Sequence, residues 1–164
     1  MNITKLSIWL FGIILLFSSC AVFNGHKKEK TAVHSESKMA QTVITIAKEK
    51  MGSPYKFGGK TRAGYDCSGL IYSTFEEVGI KLPRTSIEQA SVGKEIAYDK
   101  VRPGDLVFFA TKKSDNKISH VGLVTEIIDP GEILFIHAAN TGVKEDNLRA
   151  DYYRRTFITA RRTF

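Results

Sequence analysis

Cys67 stands in the run Tyr65-Asp66-Cys67-Ser68-Gly69-Leu70, where turn-forming residues give way to an apolar pattern of helical period. Asp66 is a good N-cap. It puts Cys67 in the first helical turn, where unpaired backbone N–H groups and the positive end of the helix dipole favour a thiolate. Such a cysteine is a candidate nucleophile for acyl transfer; the plainer alternative is a small buried hydrophobe, the usual fate of an isolated cysteine. A cysteine nucleophile needs a base within hydrogen-bond reach and a third group to orient that base. The chain has four histidines. His26 and His34 lie in a polar stretch, which leaves His120 and His137. These two are symmetric about a point between Ile128 and Asp129, beside the turn residues Asp129-Pro130-Gly131. A hairpin folded there sets them roughly opposite each other on adjacent strands, within the shift that a bulge introduces. Metal binding is the poorer reading, because two histidines and a cysteine without local ligand spacing or acidic company make a thin zinc site.

The surrounding pattern says what holds these residues. Leu70, Ile71, Phe75 and Val78 recur at helical spacing after Cys67, and Gly79 stops the helix. An earlier helix presents Met39, Val43, Ile46, Ala47 and Met51 on one face and ends at Gly52 and Pro54. Thr85 to Glu88 makes a capping box for a short helix closed by Gly93. From Arg102 the pattern turns to strands: Leu106 to Ala110 after the Arg102-Pro103-Gly104-Asp105 turn, Ser119 to Ile127 after a polar loop, Glu132 to Ala138, and Thr156 to Arg162. Helices first and strands afterwards predict an α+β domain with helices packed on an antiparallel β-sheet.

The 164 residues suffice for one domain with a modest core. Residues Met1 to Cys20 carry one lysine, an unbroken apolar run from Ile8 to Phe17, and then Ser18-Ser19-Cys20, the layout of a bacterial secretory signal. Small residues just before a cysteine resemble a lipoprotein signal, with Cys20 as the acylated first residue of the mature chain. The expected organisation is therefore a signal over 1–19, a flexible polar tether over 20–38, and the folded domain over 39–164. With Cys20 acylated, Cys67 is the one free thiol of an exported protein, which nucleophilic chemistry would explain. A formal charge of +7 and a pI near 9.4 suit an anionic partner such as a membrane surface or cell-wall polymer. Export argues against nucleic acid.

Six segments, in order, carry a resemblance. They are Gly52-Ser53-Pro54-Tyr55-Lys56-Phe57-Gly58-Gly59; Asp66-Cys67-Ser68-Gly69-Leu70; Leu82-Pro83-Arg84-Thr85-Ser86 with Gln89; Arg102 through Phe109; Ser119-His120-Val121-Gly122; and Phe135-Ile136-His137-Ala138. Together they resemble the NlpC family of bacterial cell-wall cysteine endopeptidases, which have a reduced papain-like fold. The resemblance implies Cys67 as nucleophile, His120 as base and then acid, and His137 as the residue orienting His120. It implies that Tyr55 helps the Cys67 N–H stabilise the oxyanion. It also sets Asp66, Ser68 and Arg84 along the substrate groove, with Arg84 able to meet a substrate carboxylate. Departures are Phe57, where many relatives have tryptophan, and Ala139-Asn140, where serines are common. The implied function is a monomeric, membrane-tethered peptidoglycan hydrolase of the cell envelope that uses no metal or cofactor. Its expected bonds are stem-peptide or cross-bridge amides of D-glutamyl-diaminopimelate type. An amidase or acyltransferase with the same triad, and a catalytically silent wall-binding lipoprotein, are the alternatives.

Overall fold

A computed structural model describes residues 21–111 and 116–164; the expected signal and its Cys20 lie outside the described residues. The chain divides into two units, the second being Ser35–Phe164, which holds the whole site. The elements are α1 (Ala21–Lys48), β1 (Lys60–Thr61), β2 (Gly64–Tyr65), α2 (Cys67–Glu76), α3 (Ser86–Gln89), β3 (Lys94–Ile96), β4 (Leu106–Phe109), β5 (His120–Asp129), β6 (Glu132–Ala139), β7 (Gly142–Asn147), α4 (Asp151–Thr156) and β8 (Phe157–Arg162). Among the described residues no helix is long and apolar enough to cross a membrane.

Six strands form one antiparallel sheet in the order β3-β8-β4-β5-β6-β7. Alternation along each strand gives the sheet two apolar faces. Leu106, Phe108, Val121, Leu123, Ile136 and Ala138 pack with Val43, Ile44 and Ala47 of α1 and Leu70, Ile71 and Phe75 of α2. Val107, Phe109, Val124, Phe135 and Leu148 make the other face. Complete burial of α2's Leu70, Ile71 and Phe75 stabilises the helix on the sheet by about 1.5–3 kcal/mol per side chain. The nucleophile candidate therefore sits on a fixed support. The motif residue Asp105, 1% exposed, accepts from Arg162 Nε and Nη2 at 2.8 Å each and from the Arg102 N–H at 2.8 Å, tying β8 to the turn before β4.

Residues 21–38, expected as a flexible tether, fall within the α1 range Ala21–Lys48, and the second unit begins at Ser35. Two further expectations are corrected. Met51 does not join the apolar face, since α1 ends at Lys48 and Met51 is 46% exposed. Finally, β5 and β6 turn through Pro130-Gly131 as expected, but register shifts within the hairpin pair Leu123 with Ile136. Continuing that register sets His137 across from Gly122, two residues along from His120, so the histidines are diagonal neighbours on one face.

Candidate active site

Cys67 is the first residue of α2, and Asp66 is its N-cap, with an extended backbone and its Oδ1 accepting from the Gly69 N–H at 2.6 Å. The other oxygen, Oδ2, accepts from the Gly58 N–H at 2.8 Å. Arg84 spans the same carboxylate, Nη1 to Oδ1 at 2.9 Å and Nη2 to Oδ2 at 2.7 Å, and adds bonds to Ser68 Oγ and the Gly59 carbonyl. Burial works against ionisation of Asp66, yet Arg84 and the two amides hold its carboxyl below the usual range. Gln89, fully buried, donates from Nε2 to the carbonyls of Ser68 and Pro83. Gly69 is required here: a Cβ would collide with the Gly59 carbonyl oxygen. The Arg84 guanidinium, expected to meet a substrate carboxylate, is thus engaged with Asp66, Ser68 and Gly59 and braces the turn that presents Cys67.

The Cys67 sulfur lies against the start of β5. Sγ donates to the Ser119 carbonyl at 4.0 Å and is approached by the Val121 N–H, the residues on either side of His120. Burial pushes the thiol up, and Asp66 adds to this; the N–H groups of Val121, Ser68 and Cys67 itself pull the other way without prevailing. This direction runs against the thiolate expected at the helix start, because desolvation outweighs the helix terminus. Tyr55, 38% exposed, is pushed up by burial and then by the charges of Cys67 and Asp66, which places its hydroxyl in their field.

His120 Nε2 lies 2.8 Å from His137 Nδ1, with the two rings perpendicular. His137 is 2% exposed and packed on Phe135, and its Nε2 lies 2.9 Å from Asp146 Oδ2. That oxygen also receives the Tyr153 hydroxyl, and Lys144 Nζ at 2.9 Å. Burial drives both histidines toward the neutral form: His120 is pushed down to about 3, with His137 adding to the effect, and His137 is lowered despite Asp146. Asp146 stays below the usual carboxylate range despite burial, through bonds from Tyr153, Lys144 and His137. Sequence reasoning missed Asp146, Lys144 and Tyr153. A signal existed: a turn at Asn140-Thr141 pairs His137 with Lys144 and puts Asp146 one step further on the same face. Among the described residues no three His, Cys, Asp or Glu side chains converge as a metal-ligand group.

A cysteine at a helix start and two hydrogen-bonded histidines on adjacent strands of an α+β frame are residue types from which a cysteine-hydrolase site can be built. The NlpC/P60 family model matches residues 52–162, which span every one of these residues. The chain belongs to the NlpC/P60 family. It is 42% identical over 113 residues to the Escherichia coli probable endopeptidase NlpC, covering 68% of this chain and 70% of that one. It is 32% identical to a gamma-D-glutamyl-L-lysine dipeptidyl-peptidase of Bacillus subtilis, over 84% of this chain and 46% of that one. To the Escherichia coli murein DD-endopeptidase MepS/murein LD-carboxypeptidase it is 30% identical, over 92% of this chain and 87% of that one. The solved structure of a lipoprotein-like NLP/P60 family protein of Staphylococcus aureus superposes with a TM-score of 0.67 at 31% identity, covering 77% of this chain. This chain spans 42% of that protein's length. The fold is accordingly the reduced papain-like α+β domain of this family.

Proposed function

We propose that this NlpC/P60 chain hydrolyses peptide amides of peptidoglycan through a Cys67–His120–His137 triad and an acyl-enzyme. The observation that carries the reading is the 2.8 Å bond from His120 Nε2 to His137 Nδ1. With Nε2 so occupied, Nδ1 is the nitrogen left for the sulfur that lies against Ser119. The thiol proton passes to His120 Nδ1 as Sγ attacks the scissile carbonyl carbon. Transfer within the pair leaves its net charge unchanged, and the thiolate formed offsets the cost of a buried imidazolium. The oxyanion that develops is met by the Cys67 N–H at the helix start and by the Tyr55 hydroxyl. As the C–N bond breaks, His120 returns the proton to the leaving amine, and a thioester remains on Cys67. Water then loses a proton to His120, attacks the thioester, and the C–S bond breaks as the thiolate regains the proton.

The finer substrate reading is a stem-peptide bond of D-glutamyl-diamino-acid type. The name of the Bacillus subtilis relative supports it, while that of the full-length Escherichia coli relative makes D,D cross-link cleavage the competing outcome. Mass spectrometry of products from purified muropeptides separates the possibilities. Free dipeptide ends released by wild type and not by Cys67→Ala fit the first; resolved cross-links fit the second. Transfer of the acyl group to an added amine in preference to water would make the protein an acyltransferase, and unchanged muropeptides would leave a silent wall-binding domain.

We also propose that the chain is exported and anchored to a membrane through acylated Cys20, on the strength of the Ser18-Ser19-Cys20 sequence after its apolar run. Wild type should partition with membranes and Cys20→Ala should not; equal soluble fractions would remove the anchor and leave the hydrolase.

A further inference from the structure

We infer that Asp146, acting through His137, sets which nitrogen of His120 carries the proton, and so makes His120 a base toward Cys67. The inference rests on the proposed role of His120. Donors and acceptors along the row fix the tautomers. Asp146 Oδ2 receives the Tyr153 hydroxyl, the Lys144 ammonium and His137 Nε2, so an ionised carboxylate can only accept, and His137 must carry its proton on Nε2. A neutral imidazole has one N–H. His137 Nδ1 is therefore bare and accepts from His120 Nε2–H across 2.8 Å. His120, neutral in turn, is left with a bare Nδ1. The opposite assignment would put a proton on His120 Nδ1 and leave Cys67 without an acceptor.

The neighbours of Asp146 bear on the same switch. Lys144, paired with Asp146 at 2.9 Å, offsets the carboxylate's pull toward a doubly protonated His137, which would donate from Nδ1 and force His120 into the wrong tautomer. The Tyr153 oxygen lies 3.4 Å from His137 Nε2. While Asp146 is present that hydroxyl donates to the carboxylate; without Asp146 its remaining acceptor is His137 Nε2, and donation there drives the His137 proton to Nδ1. Asp146 is thus a positioning residue that also occupies a competing donor.

The test is the nitrogen-15 spectrum of the histidine side chains at neutral pH, with kcat and KM on muropeptides, in the full chain. Wild type should show His120 protonated on Nε2 and bare on Nδ1. Asp146→Ala should invert this and lower kcat by about 10²- to 10⁴-fold, the range for losing a general base, with little change in KM. Asp146→Ala/Tyr153→Phe, lacking the competing donor, should regain about tenfold. Asp146→Asn, which keeps an oxygen toward three donors, should retain the wild-type tautomer and most of the activity. A merely structural residue would lower stability without moving the tautomer. An unchanged His120 tautomer in a folded Asp146→Ala overturns the inference; so does an Nδ1–H on His120 in active wild type, even where Asp146→Ala fails to fold. Inactive wild type with the expected tautomers would refute the hydrolase reading and leave the proton relay intact.

Discussion

Arg84 grips both oxygens of Asp66, at 2.9 and 2.7 Å, across a separation of 18 residues, and the same carboxylate caps the helix that begins with Cys67. The motif residues on either side of the sulfur therefore form one brace. Arg84→Ala removes the bidentate pair and leaves a largely buried carboxylate with two amide partners, so it should cost about 2 kcal/mol. Arg84→Lys should recover less than half of that, since an ammonium cannot span both oxygens. Urea midpoints at unchanged m-value read both; a loss below about 0.5 kcal/mol for Arg84→Ala would show that the brace carries no stability.

Desolvation of His120 and His137 makes the fold acid-sensitive in a defined window. His120 is held down to about 3 against an ordinary value of 6.5, so as pH falls from 6.5 toward 3 the unfolded chain binds a proton that the folded one refuses. Stability is complete above 6.5 and declines below it, by up to about 1.4 kcal/mol per pH unit for each such histidine. His137 shifts in the same direction and adds to the slope. His120→Gln should lose less stability than wild type between pH 6.5 and 4.5. Parallel stability–pH curves for the two would contradict a neutral, desolvated imidazole at position 120.

Burial pushes the Cys67 thiol up and drives the His120 ring toward its neutral form. In a Cys20→Ser chain, alkylation of Cys67 by iodoacetamide should be slow at mildly acidic pH and climb only in the alkaline range. A fast plateau near pH 5 to 6, abolished by His120→Ala, would show a preformed thiolate–imidazolium pair instead. Turnover should nonetheless persist into mild acid, since His120 remains unprotonated there.

The Tyr55 hydroxyl is read as an oxyanion donor. Tyr55→Phe should lower kcat by about 10- to 10²-fold at nearly constant KM, somewhat less than loss of a main oxyanion-hole donor, because the Cys67 N–H remains. A rise in KM with kcat unchanged would place Tyr55 in ground-state substrate binding.

What the sequence made legible follows pattern strength. The α2 helix, its Asp66 cap, the Thr85–Glu88 capping box and the strands through Leu106, His120, Glu132 and Phe157 carry strong apolar period or turn chemistry, and all are present. β7 was not legible because Gly142–Asn147 reads Gly-Val-Lys-Glu-Asp-Asn, a half-exposed edge strand whose charges resemble a loop. With it went Asp146, and with α4 went Tyr153. The histidine register was off because hairpin counting cannot see the shifts after Val124 and Ile127. Residues 21–38 are polar and lack an apolar period, so the sequence pattern alone does not announce the helix in which they fall. The direction of the Cys67 shift depends on how deeply the sulfur is buried by a strand more than fifty residues away, which local motif chemistry does not encode.

The central claim is that Cys67 carries the acyl group. Wild type mixed with purified muropeptides, quenched in acid within the first turnovers and mapped by peptide mass spectrometry, should show a thioester adduct on the Cys67 peptide. Its mass should equal the acyl half of the cleaved bond, and Cys67→Ala should give neither adduct nor products. Release of cleaved peptides by Cys67→Ala, or turnover in wild type with Cys67 unmodified at every quench time, would contradict the account.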